Sequence, residues 1–158
     1  MIAERGEPKA SRPHVPEYGI PESEEGLLPW RHVMERLERA RNYWIATTRP
    51  DGRPHAMPVW GVWVDNTLFF GGGPQTRWSR NLAANPHVAV HLDDSDAAVI
   101  LEGTVERITD PTLPLVSRLD DAYEAKYEMR HGTPFWRFHP AVAFAWTSFP
   151  TDTTRWTF

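Results

Sequence analysis

Cysteine is missing from all 158 residues. That removes disulfides, thiol nucleophiles and thiolate metal sites from consideration. No apolar run approaches the length of a membrane span and no signal peptide is visible, so a cytoplasmic, membrane-free protein is the expectation. Lysine is nearly missing too: of 17 basic residues only Lys9 and Lys126 are lysines. Genome base composition or a need for forked anion contacts would equally produce this arginine bias. The net charge of -4 gives no reason to expect a nucleic acid partner. Nucleophile elbows, metalloprotease helices and Walker loops are absent. Gly71-Gly72-Gly73 lacks the spacing of a dinucleotide-binding fingerprint. His87 and His91 share a strand face without a third ligand, and Asp93-Asp94-Ser95-Asp96 lacks the glycine and distal glutamate of a calcium loop. No metal is expected, and no acid–base pair stands out as catalytic.

What is present is rich in aromatics, with eight tryptophans in a chain long enough for one sizeable core. Residues 1–29 hold five prolines and many charges and read as an extended N-terminal arm. The remainder, 30–158, reads as one domain. Trp30, Val33, Met34, Leu37 and Ala40 follow helical spacing. Tyr43 to Thr48 and Arg53 to Val64 read as strands joined at Arg49-Pro50-Asp51-Gly52. Residues 67–70 pair back through Asp65-Asn66. A helix from about Gln75 to Ala84 stops at Asn85-Pro86. Strands at 88–92 and 97–109 follow. A third helix begins from an Asp110-Pro111 cap and ends near Tyr127, and strands at 135–146 and 153–158 close the chain. The pattern predicts a mainly β (α+β) fold. Six antiparallel strands, or slightly more, form a small split barrel with about three flanking helices.

Two stretches carry functional weight. The Arg53–Val64 strand is apolar on both faces: His55, Met57, Val59, Gly61 and Trp63 on one, Ala56, Pro58, Trp60, Val62 and Val64 on the other. Both should be covered, one by the barrel interior, the other by a partner subunit or a flat cofactor. Pro58 cannot donate to a ladder, which predicts interrupted pairing there. The second stretch, Gly71 to Pro86, places glycines after a strand and Arg77, Arg80 and Asn81 at a helix start. No Asp or Glu occurs from Asn66 to Leu92. These are features of a phosphate-binding turn; a plain strand-to-helix loop with two solvated arginines is the alternative.

Together the motifs resemble the pyridoxamine 5'-phosphate oxidase-like superfamily of flavin-binding split β-barrels, and within it the deazaflavin (coenzyme F-420) dependent oxidoreductases. The resemblance rests on Tyr43-Trp44-Ile45-Ala46-Thr47, Pro50 to His55, Pro58-Val59-Trp60, Arg80-Asn81-Leu82, Asn85-Pro86 and Thr154-Arg155-Trp156. It implies a homodimer with cofactor clefts at the interface, FMN or coenzyme F-420 as cofactor, and hydride transfer to a small-molecule acceptor. A non-catalytic dimer that binds, stores or carries a cofactor is the other function class. The implied cofactor contacts are Pro58, Val59 and Trp60 along the ring, with His55 and Met57 on the same strand. Phe70, Gly71, Gly72, Arg77, Trp78, Arg80 and Asn81 would lie at the phosphate. Trp78 stands where the family commonly carries a lysine, so the expectation is a bulky indole at the cleft, weaker cofactor binding, and recovery on Trp78→Lys. The arm is expected to cross onto the second subunit.

Overall fold

A computed structural model describes residues 6–158. The strands are β1 (Lys9–Ser11), β2 (Tyr43–Thr48), β3 (Pro54–Val59), β4 (Gly61–Val64), β5 (Thr67–Gly71), β6 (His87–His91), β7 (Val99–Ile108), β8 (Phe135–Ala145) and β9 (Thr154–Thr157). The helices are α1 (Trp30–Arg39), α2 (Arg77–Ala84) and α3 (Pro114–Tyr127). All strand pairs are antiparallel, and β-branched and aromatic residues dominate them.

The ladder runs β1-β9-β8-β7-β6-β2-β3, and β5 pairs with both β4 and β8. The sheet is not closed. The predicted 53–64 strand is two strands, broken at Trp60: β3 pairs with β2 over its whole length, and β4 leaves to pair with β5. The break lies two residues beyond Pro58, where it was anticipated. Pro58 stays in register opposite Trp44. It is tolerated because β3 is an edge strand, where a missing N–H leaves no neighbour unpaired.

Alternation along β2 sends Tyr43, Ile45 and Thr47 inward, and all three are buried. Their core continues through Val88, Val90, Leu101 and Trp156 and is covered by Val33 and Leu37 of α1 and by Trp78 and Leu82 of α2. A second core lies beneath α3, where Val116, Leu119, Tyr123 and Tyr127 pack on Val62, Phe69 and Phe135.

One sequence expectation changes, and the arm acquires a place. Helix α3 starts at Pro114, not Pro111: Pro114 takes the first helical position, and the Asp110 carboxylate instead closes a turn onto the N–H and hydroxyl of Thr112. The arm is not detached. Residues 1–5 lie outside the described residues, but β1 pairs with the chain's own β9, Arg12 donates to the Thr153 carbonyl at 3.0 Å, and the Leu28 N–H donates to Thr154 Oγ1 at 2.9 Å. These contacts hold the described arm on this chain's own sheet.

Candidate anion and ring site along the open edge of the sheet

Helix α2 begins at Thr76, whose hydroxyl caps it by accepting the Ser79 N–H at 3.3 Å. One helical turn separates Arg77 from Asn81, so their side chains share a face. Asn81 is fully buried, and its Nδ2 donates to Thr47 Oγ1 of β2 at 3.0 Å, which ties the helix to the sheet. Its Oδ1 lies 3.5 Å from Arg77 Nη1. Hairpin register places His55 opposite Thr47, and Arg49 Nη2 lies 3.3 Å from His55 Nδ1. Burial, then the charges of Arg49 and Arg77, lower the His55 pKa below the ordinary imidazole value, so the ring is neutral at pH 7. Arg53 pairs with Asp51 at 2.9 Å. Among the described residues, Arg49, Arg77 and Arg80 make no ion pair. Two of these guanidinium groups without carboxylate partners, Arg49 and Arg77, flank His55 near one end of β3.

From that end an open strip runs along β3. Met57 is 42% exposed and Trp60 39%, and Ala56 and Pro58 on either side of Met57 are exposed too. On the outer face, Ala56, Ala46 and Ala89 align across three strands, beside Pro58, Trp44 and His91. The result is a flat, nearly uncharged surface, on which Trp44 and His91 stack at 6.0 Å.

The strip ends in a rigid junction. The Trp60 indole stacks on Tyr127 at 4.4 Å and 1°, and Arg41 sits 5.7 Å and 5.3 Å from the two ring centroids. Where the strand breaks, backbone groups lose their ladder partners, and α3 supplies replacements. Tyr123 Oη donates to the Trp60 carbonyl at 2.9 Å and accepts the Gly71 N–H at 2.9 Å. Tyr127 Oη accepts the Gly61 N–H at 3.0 Å. Lys126 Nζ donates to the Gly61 carbonyl at 2.8 Å and to Tyr43 Oη at 3.0 Å. Positions 123, 126 and 127 share one helix face, so a single helix substitutes for a missing strand. Burial and the nearby Arg41 push the Lys126 pKa down to about 8.

The sequence-predicted residues therefore divide. His55, Arg77 and Asn81 come together, and Met57, Pro58 and Trp60 lie along the open strip. Arg80 is exposed on α2, and Val59 faces the core. Phe70 and Trp78 do not line a cleft of this chain. Phe70 is fully buried, Trp78 is 5% exposed, and their rings pack at 5.7 Å. The expected indole at the cleft is thus corrected: Trp78 and Leu82 form the buried face of α2. The glycines also have another role. A Cβ on Gly72 would lie 2.2 Å from the Trp78 ring and one on Gly71 2.4 Å from the His131 ring. Neither has positive φ, so they are small because rings lie on them. Thr47 and Arg49 were missed. The hairpin register sets both beside His55, and the docking of α2 on β2 brings Asn81 to Thr47. Lys126, Tyr123 and Tyr127 were read only as helix residues. His87 bonds to Asn85 and His91 stacks on Trp44, and among the described residues no three His, Asp or Glu side chains gather as a metal site would require. No helix among them is long and apolar enough to cross a membrane.

Residues 30–147 match the model of the pyridoxamine 5'-phosphate oxidase family, and the chain belongs to that family. No curated protein matches it. Among solved structures, an F-420 reductase is 28% identical, with a TM-score of 0.53 over 69% of this chain and 90-odd percent of its own, 93%. A conserved hypothetical protein from Mycobacterium tuberculosis is 18% identical, with a TM-score of 0.68 over 78% of this chain and 88% of its own. A heme storage protein from Vibrio cholerae is 15% identical, with a TM-score of 0.58 over 70% and 88%. The last two likenesses are likenesses of fold.

Proposed function

We propose, from membership of the pyridoxamine 5'-phosphate oxidase family, that the chain binds a phosphate-bearing flavin or deazaflavin, FMN or coenzyme F-420, and acts as a homodimeric oxidoreductase on a small organic acceptor. The observation that carries this reading is the pairing of unpartnered cations with an open apolar strip. Arg49, Arg77 and the neutral His55 stand at one end of β3, and Met57, Pro58 and Trp60 extend from them. A phosphate needs charge-assisted donors, and a tricyclic ring needs a flat apolar bed; both are supplied in line. The likeness to an F-420 reductase supports the deazaflavin form. When bound, the cofactor supplies hydride chemistry. The chain's own residues have narrower tasks. Arg77 and Arg49 donate to the phosphate. Asn81, held by Thr47, fixes the Arg77 side chain. Trp60, clamped by Tyr127 and Tyr123, fixes the far end of the strip. The alanine row and Trp44 face a second copy, which covers the apolar outer surface and completes the cleft.

A second reading, a non-catalytic dimer that stores or carries the cofactor, draws on His55. It is the strip's titratable ring, and its lowered pKa makes it a poor acid at neutral pH. Anaerobic titration with FMN and with coenzyme F-420, followed by absorbance and then by turnover with organic acceptors, separates the readings. Saturable perturbation of the ring spectrum with turnover supports the oxidoreductase, and saturable binding without turnover supports the carrier. Failure of both compounds to bind overturns the site.

A further inference from the structure

A second groove of about 710 Å³ lies where arm residues 13–20 meet the end of β8 and the loop before β9. Strands β7, β6 and β2 separate β8 from the strip along β3. Its walls are aromatic: Tyr18, Phe144, Trp146 and Phe149. Phe149 meets Trp146 edge-on at 5.3 Å and Tyr18 edge-on at 6.1 Å, so the rings are mutually braced. The Trp146 indole N–H donates to the Ser95 carbonyl at 3.3 Å, which anchors the wall to the acidic turn.

Among the described residues, Asp96 is the one charged residue lining this groove. Its neighbours have partners: Asp93 accepts the Trp44 indole N–H at 2.6 Å, and Asp94 accepts the N–H groups of Asp96 and Ala97 at 2.9 and 3.0 Å. Among the described residues, the Asp96 carboxylate accepts no hydrogen bond and forms no ion pair. A carboxylate beside aromatic faces attracts a cation through two terms of the same sign, the ion pair and the ring quadrupole. An anion in the groove would meet the Asp96 carboxylate. We propose that this groove is a binding site for a small organic cation of the substituted-ammonium class with an apolar body, independent of the strip along β3.

The test titrates benzyltrimethylammonium into the full chain and follows the Trp146 indole N–H by NMR, with the resonance assigned by Trp146→Phe. N,N-dimethylbenzamide serves as the neutral probe and phenylacetate as the anionic one. The ammonium should shift the resonance saturably and bind about tenfold more tightly than the amide, and phenylacetate should leave it unmoved. Asp96→Asn, nearly isosteric and on an exposed turn, should weaken the ammonium roughly fivefold with an unchanged unfolding midpoint; Phe149→Ala should weaken it as well. Equal binding of ammonium and amide, an unmoved Trp146 resonance, or indifference to Asp96→Asn would overturn the proposal. A Trp146 shift that follows protein dilution and ignores the ammonium would show a second copy seated in the groove, and would overturn it too.

Discussion

Strands β3 and β4 meet at Trp60 but have opposite surroundings. Across the break, on β4, the Gly61 N–H and carbonyl and the Trp60 carbonyl each find a side-chain partner from α3. Along β3, Arg49 and Arg77 find no carboxylate among the described residues, and Met57 and Trp60 stay open. Satisfying buried backbone groups holds the fold together, because an orphaned donor or acceptor away from water costs its desolvation free energy. Leaving surface cations unpaired adds little to folding and keeps their hydrogen-bonding capacity for something else. The contrast predicts that substitutions on the α3 side act on stability and that those on the β3 side act on ligand affinity.

The largest effect tests a residue that changed sides. Trp78 was expected at the cleft, where lysine would tighten phosphate binding. In the core against Phe70 and Gly72, Trp78→Lys loses a buried indole and forces an ammonium inward. Stability should fall by about 3–5 kcal/mol, read from urea unfolding. A stable variant with tighter cofactor binding would return Trp78 to the cleft and undo the comparison.

Tyr123→Phe comes next. The ring stays, and one oxygen is lost, leaving the Trp60 carbonyl and the Gly71 N–H without partners. A loss of about 1–3 kcal/mol is expected from one buried and one part-buried group left unsatisfied. FMN or coenzyme F-420 affinity, measured under conditions where the variant is folded, should stay within about twofold of the parent. A variant of unchanged stability would mean that water replaces the phenol and that the junction is no substitute strand.

On the other side, Arg77→Ala should leave the unfolding midpoint nearly unmoved, since its one side-chain hydrogen bond among the described residues is a 3.5 Å approach to Asn81. It should weaken the phosphate-bearing cofactor by about 1.5–3 kcal/mol, the scale of a charge-assisted bond. Unchanged affinity would leave Arg77 a solvated helix residue.

How much of this was readable beforehand follows from the range of each interaction. The three helices and the hairpin at Arg49 to Arg53 rest on local signals, spacing and turn residues, and each appears near its expected place. The break at Trp60 was signalled only by Pro58, two residues short of it: both faces stay apolar through the break, and the pairing of β4 with β5 and the phenols of α3 set its place. Asp110-Pro111 and Leu113-Pro114 are rival helix starts one turn apart, so position alone could not choose between them. Strand β1 is three residues long, too short for a period. At the site, Arg77 and Asn81 were visible as a polar helix start. Arg49 required the hairpin register, and Thr47 required the docking of α2 on β2. Trp78 had a legible signal that was overridden by resemblance: Trp78 and Leu82 lie four apart, an apolar helix stripe.

The smallest effect concerns Lys126, the amine in the α3 junction. Burial and Arg41 lower its pKa from 10.5 in a free side chain to about 8. Below pH 8 both folded and unfolded chains carry the proton, and the burial cost is fully present. Above 8 the folded chain releases a proton that the unfolded chain keeps, so stability rises with pH toward the unfolded value. The phenols then act the other way. Tyr43, Tyr123 and Tyr127 have pKa values raised chiefly by burial, so above pH 10 the unfolded chain loses protons that the folded chain retains, and stability falls. The two opposing slopes predict a stability maximum between about pH 9 and 10. The rise is modest because the ammonium is only half-buried and partly solvated. His32 and His55, both lowered, titrate below their ordinary value of 6.5 and do not shape this window. Lys126→Met should erase the rise above pH 8 and preserve the fall above 10, read as urea midpoints across pH 7 to 11. A rise that survives in Lys126→Met would place the titrating amine elsewhere and remove Lys126 from the junction's support of Gly61.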